Sequence, residues 1–126
     1  MSVRLRVPAV DDPDFLAEVS YADGAELRLV GSATAGATES LAALLKALDA
    51  ELRERATRSV VVDLKAMELM AAPCFNELVA WIARLSDLAP EERYQILVRS
   101  NPQILWQQHS LGALACFDTR IVRIES

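Results

Sequence analysis

Few side chains in this chain carry groups that could do chemistry, and none is accompanied by the partners that chemistry needs. Cys74 follows Pro73 at the predicted start of a helix, where backbone N–H groups and the helix dipole favour a thiolate. A thiol nucleophile also needs a base. No histidine lies near Cys74 in sequence, so its reading as a small buried hydrophobe prevails. His109 is the single histidine. In the helix around Trp106 it reads as a helix-end residue, packing its ring or meeting the helix C-terminus, rather than as a catalytic base. Asp63 closes a strand as a lone carboxylate, which suits a turn cap or a hydrated group. Ser32 and Thr34 precede a helix, where small hydroxyls serve turns and caps. Gly24, Gly31, Gly36 and Gly112 form neither a GxGxxG pattern nor a P-loop. Cys74 and Cys116 lack CxxC spacing, so neither a zinc ribbon nor a redox pair is suggested and both read as buried. The expectation is a non-enzymatic protein with no metal site and no cofactor.

Composition narrows the partners. A formal charge of −5 would meet repulsion at nucleic acid or an anionic membrane before any specific contact formed. No apolar run reaches the length of a membrane span, and the opening MSVRLRVPAVDDPDF lacks a signal-peptide core. A cytoplasmic location without membrane insertion is expected. With 126 residues, 52% of them hydrophobic, the chain fits one domain that buries roughly two thirds of its unfolded surface.

The elements that must position these residues follow from pattern. Val60, Val61, Val62 and Leu64 form a run without alternation, suited to a strand covered on both faces. A short loop, Leu69 to Ala72, leads to a helix with Pro73 in its first turn, where the missing N–H has no cost. In that helix Phe75, Leu78, Val79, Ile82 and Leu85 recur at helical spacing, leaving Asn76, Glu77, Ala80, Arg84 and Asp87 outward. Upstream, Phe15 to Ser20 and Ala25 to Val30 read as strands joined by an Asp23-Gly24 hairpin turn. Leu41, Leu44, Leu45, Leu48 and Leu52 mark a helix running to about Arg55, with Lys46, Asp49, Glu51, Arg53 and Glu54 on its solvated face. Downstream, Tyr94 to Arg99 reads as a strand. Ser100 or Asn101 then caps a helix that Gly112 terminates, and Arg120 to Ile124 is a last strand. Trp81 and Trp106 read as core or edge packing, or as anchors for a partner if exposed.

The order is ββαβαβαβ, an α/β fold with helices as crossovers in a mixed sheet. Residues 14–126 form the domain; residues 1–13 are an arm or extra edge strand, in which Val3 to Val7 alternates and Asp11 to Pro13 reads as a turn. An added edge strand there would favour a homodimer.

Leu29-Val30-Gly31 after the hairpin, VVVDLKAMELM in the centre and NPQILWQQHSLGALACF near the end together resemble the STAS family, small bacterial domains typified by anti-sigma factor antagonists. The resemblance runs from Phe15 to Ile124. It implies a mixed sheet with helices mainly on one side, and a role in binding a regulatory protein, anti-sigma factor or kinase-like, rather than converting a substrate. In typical members a loop of the form Asp-Ser-Ser-Gly carries a serine that the partner phosphorylates. The matching residues here are Ala71, Ala72, Pro73 and Cys74, with no hydroxyl at all, and Thr34 falls where the family often has an aspartate. The resemblance therefore implies a partner-binding surface of Ala71, Ala72, Pro73, Cys74, Asn76, Glu77 and Ala80, edged by Thr34, without a phospho-acceptor at the family position. A fixed subunit of a lipid- or anion-transport complex is a variant of this reading. The alternative is a sensor with a pocket near Leu69 to Ala72 for an apolar molecule or nucleotide.

Overall fold

In the computed structural model, which describes residues 10–12, 14–21 and 24–125, six strands lie in one sheet in chain order: β1 (Val10–Asp12), β2 (Phe15–Ser20), β3 (Ala25–Ala33), β4 (Ser59–Met70), β5 (Gln95–Arg99) and β6 (Val122–Glu125). β1 to β3 pair antiparallel and β3 to β6 parallel. Helices α1 (Thr38–Glu54), α2 (Ala72–Ser86) and α3 (Leu105–Phe117) make the three parallel crossovers. The expected ββαβαβαβ order is thus present, with β1 ahead of it. Asp11 and Asp12, expected in a turn, instead pair with Leu16 and Phe15; Val3 to Val7 and Asp23 lie outside the described residues. Gly24, at φ +100°, supplies the left-handed residue that a tight hairpin turn needs.

Alternation along the strands separates two faces. Phe15, Ala17, Val19, Leu27, Leu29, Val60, Val62, Leu64, Ile96 and Val98 are buried under helical residues that include Leu41, Leu44, Leu48, Leu78, Trp81, Ile82, Leu111 and Leu114. Among the described residues no helix covers the other face. Across it Glu18, Arg28, Asp63, Arg99 and Glu125 stand side by side in register, one from each of β2 to β6, alternating in sign. Glu18 and Arg28 form an ion pair at 3.8 Å. Each opposite-charge neighbour contributes at most about 1 kcal/mol, but the row as a whole keeps this face wet. Asp63 therefore sits inside a charge row instead of closing a strand. Val61, expected to be covered, lies on this face beside Glu26 and Leu97 and is only half-buried. A β-branched run satisfies strand propensity without requiring cover on both sides.

Polar anchors join the layers. Trp81 donates its indole N–H to the Tyr94 hydroxyl, which donates to Asp49 Oδ1, both at 2.6 Å. The Tyr94 phenol is pushed well above its ordinary pKa by burial and by donating to a carboxylate. Trp81 is thus a core residue, and Tyr94 precedes β5 instead of opening it. Arg93 donates to the carbonyls of Ser86 and Leu88 at 2.8 and 2.9 Å, closing the C-terminal end of α2 with a cation.

Several local expectations are corrected. Glu51 is buried and bonded to Arg55 at 3.0 Å, and Asp49 turns toward Tyr94, so neither belongs to the solvated face of α1. Asn101 does not cap α3. Its Oδ1 accepts from Gln103 N in a turn that delays the helix to Leu105. Gly112 lies inside α3 with open space around it. His109 is an exposed mid-helix residue, and Cys116 is exposed, not buried. The sequence of α3 has no charge at either end to betray its limits.

Candidate functional site

The parallel strands β3, β4 and β5 deliver their C-terminal ends to one side of the sheet, where open α/β folds place their sites. β4 runs further than expected. Two register irregularities against β3, between Arg28 and Val30 and between Gly31 and Ser32, let it stay paired to Met70. Leu69 and Met70 are therefore strand, Ala72 is already helix, and the anticipated four-residue loop shrinks to Ala71.

That junction is tied down from below. Ala71 N–H donates to Ala33 O at 2.8 Å, fixing the entry to α2 against the exit of β3. A short 3-10 helix, Ala35–Ala37, follows Thr34 and leads into α1. Cys74 is completely buried. Its thiol donates to Thr34 O at 3.2 Å and lies 3.6 Å from the Thr38 hydroxyl, while Thr38 itself donates to Ala35 O at 2.7 Å. Cys74 thus supports the surface from beneath and is not part of it, and no activating base accompanies it in these contacts.

Above this support, Thr34, Ala72, Pro73 and Asn76 are exposed, and Ala71, Glu77 and Ala80 partly so. Ala72, Pro73, Asn76, Glu77 and Ala80 share one helical face, opposite Cys74, Leu78, Trp81 and Leu85. The expected set, Cys74 apart, is brought together at one end of the domain. Exposed Ala35 and Gly36 beside Thr34 adjoin it and were not anticipated, and Leu69, expected in the loop, is 54% exposed at the end of β4.

The surface is small-residue, nearly uncharged and without a phosphorylatable group in Ala71 to Cys74. Neither α1 nor α2 has a side-chain cap hydrogen bond at its N-terminus. Clefts of a few hundred Å³ occur elsewhere. One is lined by Ser100, Asn101, Gln107, Gln108, Leu111 and Gly112, and another lies between the ends of α1 and α2 and the starts of β4 and β5. Among the described residues no group of three or more His, Cys, Asp or Glu is placed to hold a metal ion, and no helix is long and apolar enough to cross a membrane.

No family model matches the sequence, and no curated protein matches it. Among solved structures, an anti-sigma factor antagonist from Mycobacterium paratuberculosis is similar over 91% of this chain and 89% of that one, with a TM-score of 0.63 at 18% identity. A likeness at that identity is one of fold. It shows that the chain has the STAS-like architecture, a mixed sheet with its helices on one side.

Proposed function

We propose that this protein is a non-enzymatic docking module of a bacterial signalling pathway, which binds a regulatory protein of the anti-sigma factor or kinase-like kind through the surface formed by Thr34 to Gly36 and Ala71 to Ala80. The observation that carries the reading is the junction at Ala71. An exposed face of small residues is held rigid by the bonds from Ala71 to Ala33 and from Cys74 to Thr34, and rigidity lowers the ordering cost of association. Small residues let a partner's backbone approach closely.

The family's phosphorylation switch acts by adding about two negative charges at this loop. Without an acceptor at Ala71 to Cys74, docking here lacks the family's switch at that loop. A cytoplasmic location fits this role.

Affinity capture with the wild type, Ala72→Glu and a control, Glu26→Lys on the open sheet face, tests the reading. A partner retained by wild type and control but lost by Ala72→Glu supports it, and incubation of that partner with the protein and ATP should leave the protein's intact mass unchanged. Equal recovery of every partner by all three proteins would move the interface elsewhere.

A further inference from the structure

At the end of the domain away from the docking surface lies a cleft of about 350 Å³, bounded by the C-terminal turn of α1, the residues entering β4 and the segment between α2 and β5. β4, twelve residues long and so spanning roughly 35 Å, separates the two ends. The volume falls in the lower range of small-molecule sites.

Its lining is cationic where the chain as a whole is acidic. Arg53, Arg58 and Arg93 face it, against Glu91 and Glu92. The three guanidinium groups are unequally occupied. Arg93 uses Nε and one terminal nitrogen on the end of α2, leaving the other. Arg53, half-exposed, stands 3.9 Å from the largely buried Asp49, a long contact. Arg58 makes no ion pair or side-chain hydrogen bond among the described residues.

We propose that this cleft binds a phosphoryl oxyanion, with Arg58, Arg53 and the remaining N–H groups of Arg93 as charged donors. Planar guanidinium groups match phosphate oxygens in pairs. Glu91 and Glu92, exposed on the short 3-10 helix Pro90–Glu92, repel an extended polyanion and so restrict the ligand to a single compact phosphoryl group, free or carried by a mononucleotide. The docking reading is independent of this site.

The test uses the whole chain, titrated with inorganic phosphate and with AMP at constant ionic strength, chloride serving as reference, while backbone amide NMR signals are followed. Saturable shifts centred on residues 56–58 and 91–93 are expected. Arg58→Glu should weaken binding by about tenfold or more through loss of a charge-assisted contact, its amide spectrum showing that the fold persists. Equal affinity for phosphate and AMP identifies free phosphate as sufficient, whereas tighter AMP binding identifies a nucleotide. Absence of saturation with both ligands, shifts reproduced by chloride, or unchanged affinity in Arg58→Glu would overturn the site.

Discussion

Cys74 donates its thiol to the main-chain oxygen of Thr34 at 3.2 Å, joining the first turn of α2 to the segment that leads from β3 into α1. The sulfur has no exposure to solvent, so the contact is a structural tether between the two halves of the proposed docking surface.

Burial makes the two thiols chemically distinct. Cys116 is exposed on α3 and Cys74 is not. Alkylation of the folded protein, followed by peptide mass spectrometry, should modify Cys116 promptly and Cys74 only under denaturing conditions. Rapid modification of Cys74 without unfolding would show that the junction opens. Cys74→Ala should lower stability by about 1–3 kcal/mol, through the lost contact and the space left behind.

Gly31 is required by its backbone. It sits at φ +96°, and a Cβ there would fall 2.2 Å from Asp14 O, the same oxygen that accepts from Ser32 N at 2.6 Å. Gly31→Ala should therefore cost about 2–4 kcal/mol from a strained dihedral and a clash with main chain that cannot swing aside. Urea unfolding would report the loss, with the midpoint falling and the slope unchanged.

Ala56 is the opposite case. It ends α1 in the left-handed region at φ 53°, with the bonds from Ala56 N to Arg53 O and from Thr57 N to Leu52 O that define a Schellman end. Glycine removes the Cβ penalty, and Ala56→Gly should raise stability by about 0.5–1 kcal/mol in thermal or urea denaturation.

Asp118 gives the acid limb of stability a named contributor. Its buried carboxylate accepts from Ser86 Oγ at 2.8 Å and from Arg120 N at 3.0 Å, and these bonds hold its pKa below the ordinary aspartate value, the Ser86 hydrogen bond most of all. A pKa depressed in the folded state means that the unfolded chain binds the proton first. The stabilisation is complete above the unfolded value of about 3.9 and is lost as pH falls through the folded value. Asp118→Asn should thus be less stable than wild type at neutral pH and show a shallower decline below about pH 4 in urea midpoints.

The periodicity of α2 was legible because its apolar stripe faces a core and its polar side faces water, so a single pattern reports both. Proline at the helix start marked the junction, helical spacing put Asn76, Glu77 and Ala80 on its outward side, and only the family resemblance drew Ala71 to Cys74 to them. The length of β4 was hidden, since the irregularities opposite Arg28 and Gly31 arise from pairing with β3 and leave no local mark. Val61 misled because propensity and burial favour the same residue type. Glu51 and Asp49 looked solvated until Arg55 and Tyr94, distant or unremarkable in sequence, were brought to them. In α3 the lack of charges and of a clear stop left Gly112 as the apparent end, although the helix continues to Phe117 and Asp118 closes it. The cationic cleft was invisible for a similar reason: Arg58 and Arg93 come from different crossovers, and only the parallel pairing of β4 with β5 sets them beside one another.

The most direct test of the docking account is the dissociation constant of the captured regulatory partner for wild type, Ala72→Glu, Asn76→Lys and the open-face control Glu26→Lys, measured at one ionic strength. The account predicts a loss of about tenfold or more for each of the first two variants, from a charge forced into an uncharged contact, and no change for the control. Unchanged affinity for Ala72→Glu and Asn76→Lys, or a loss confined to Glu26→Lys, would contradict it.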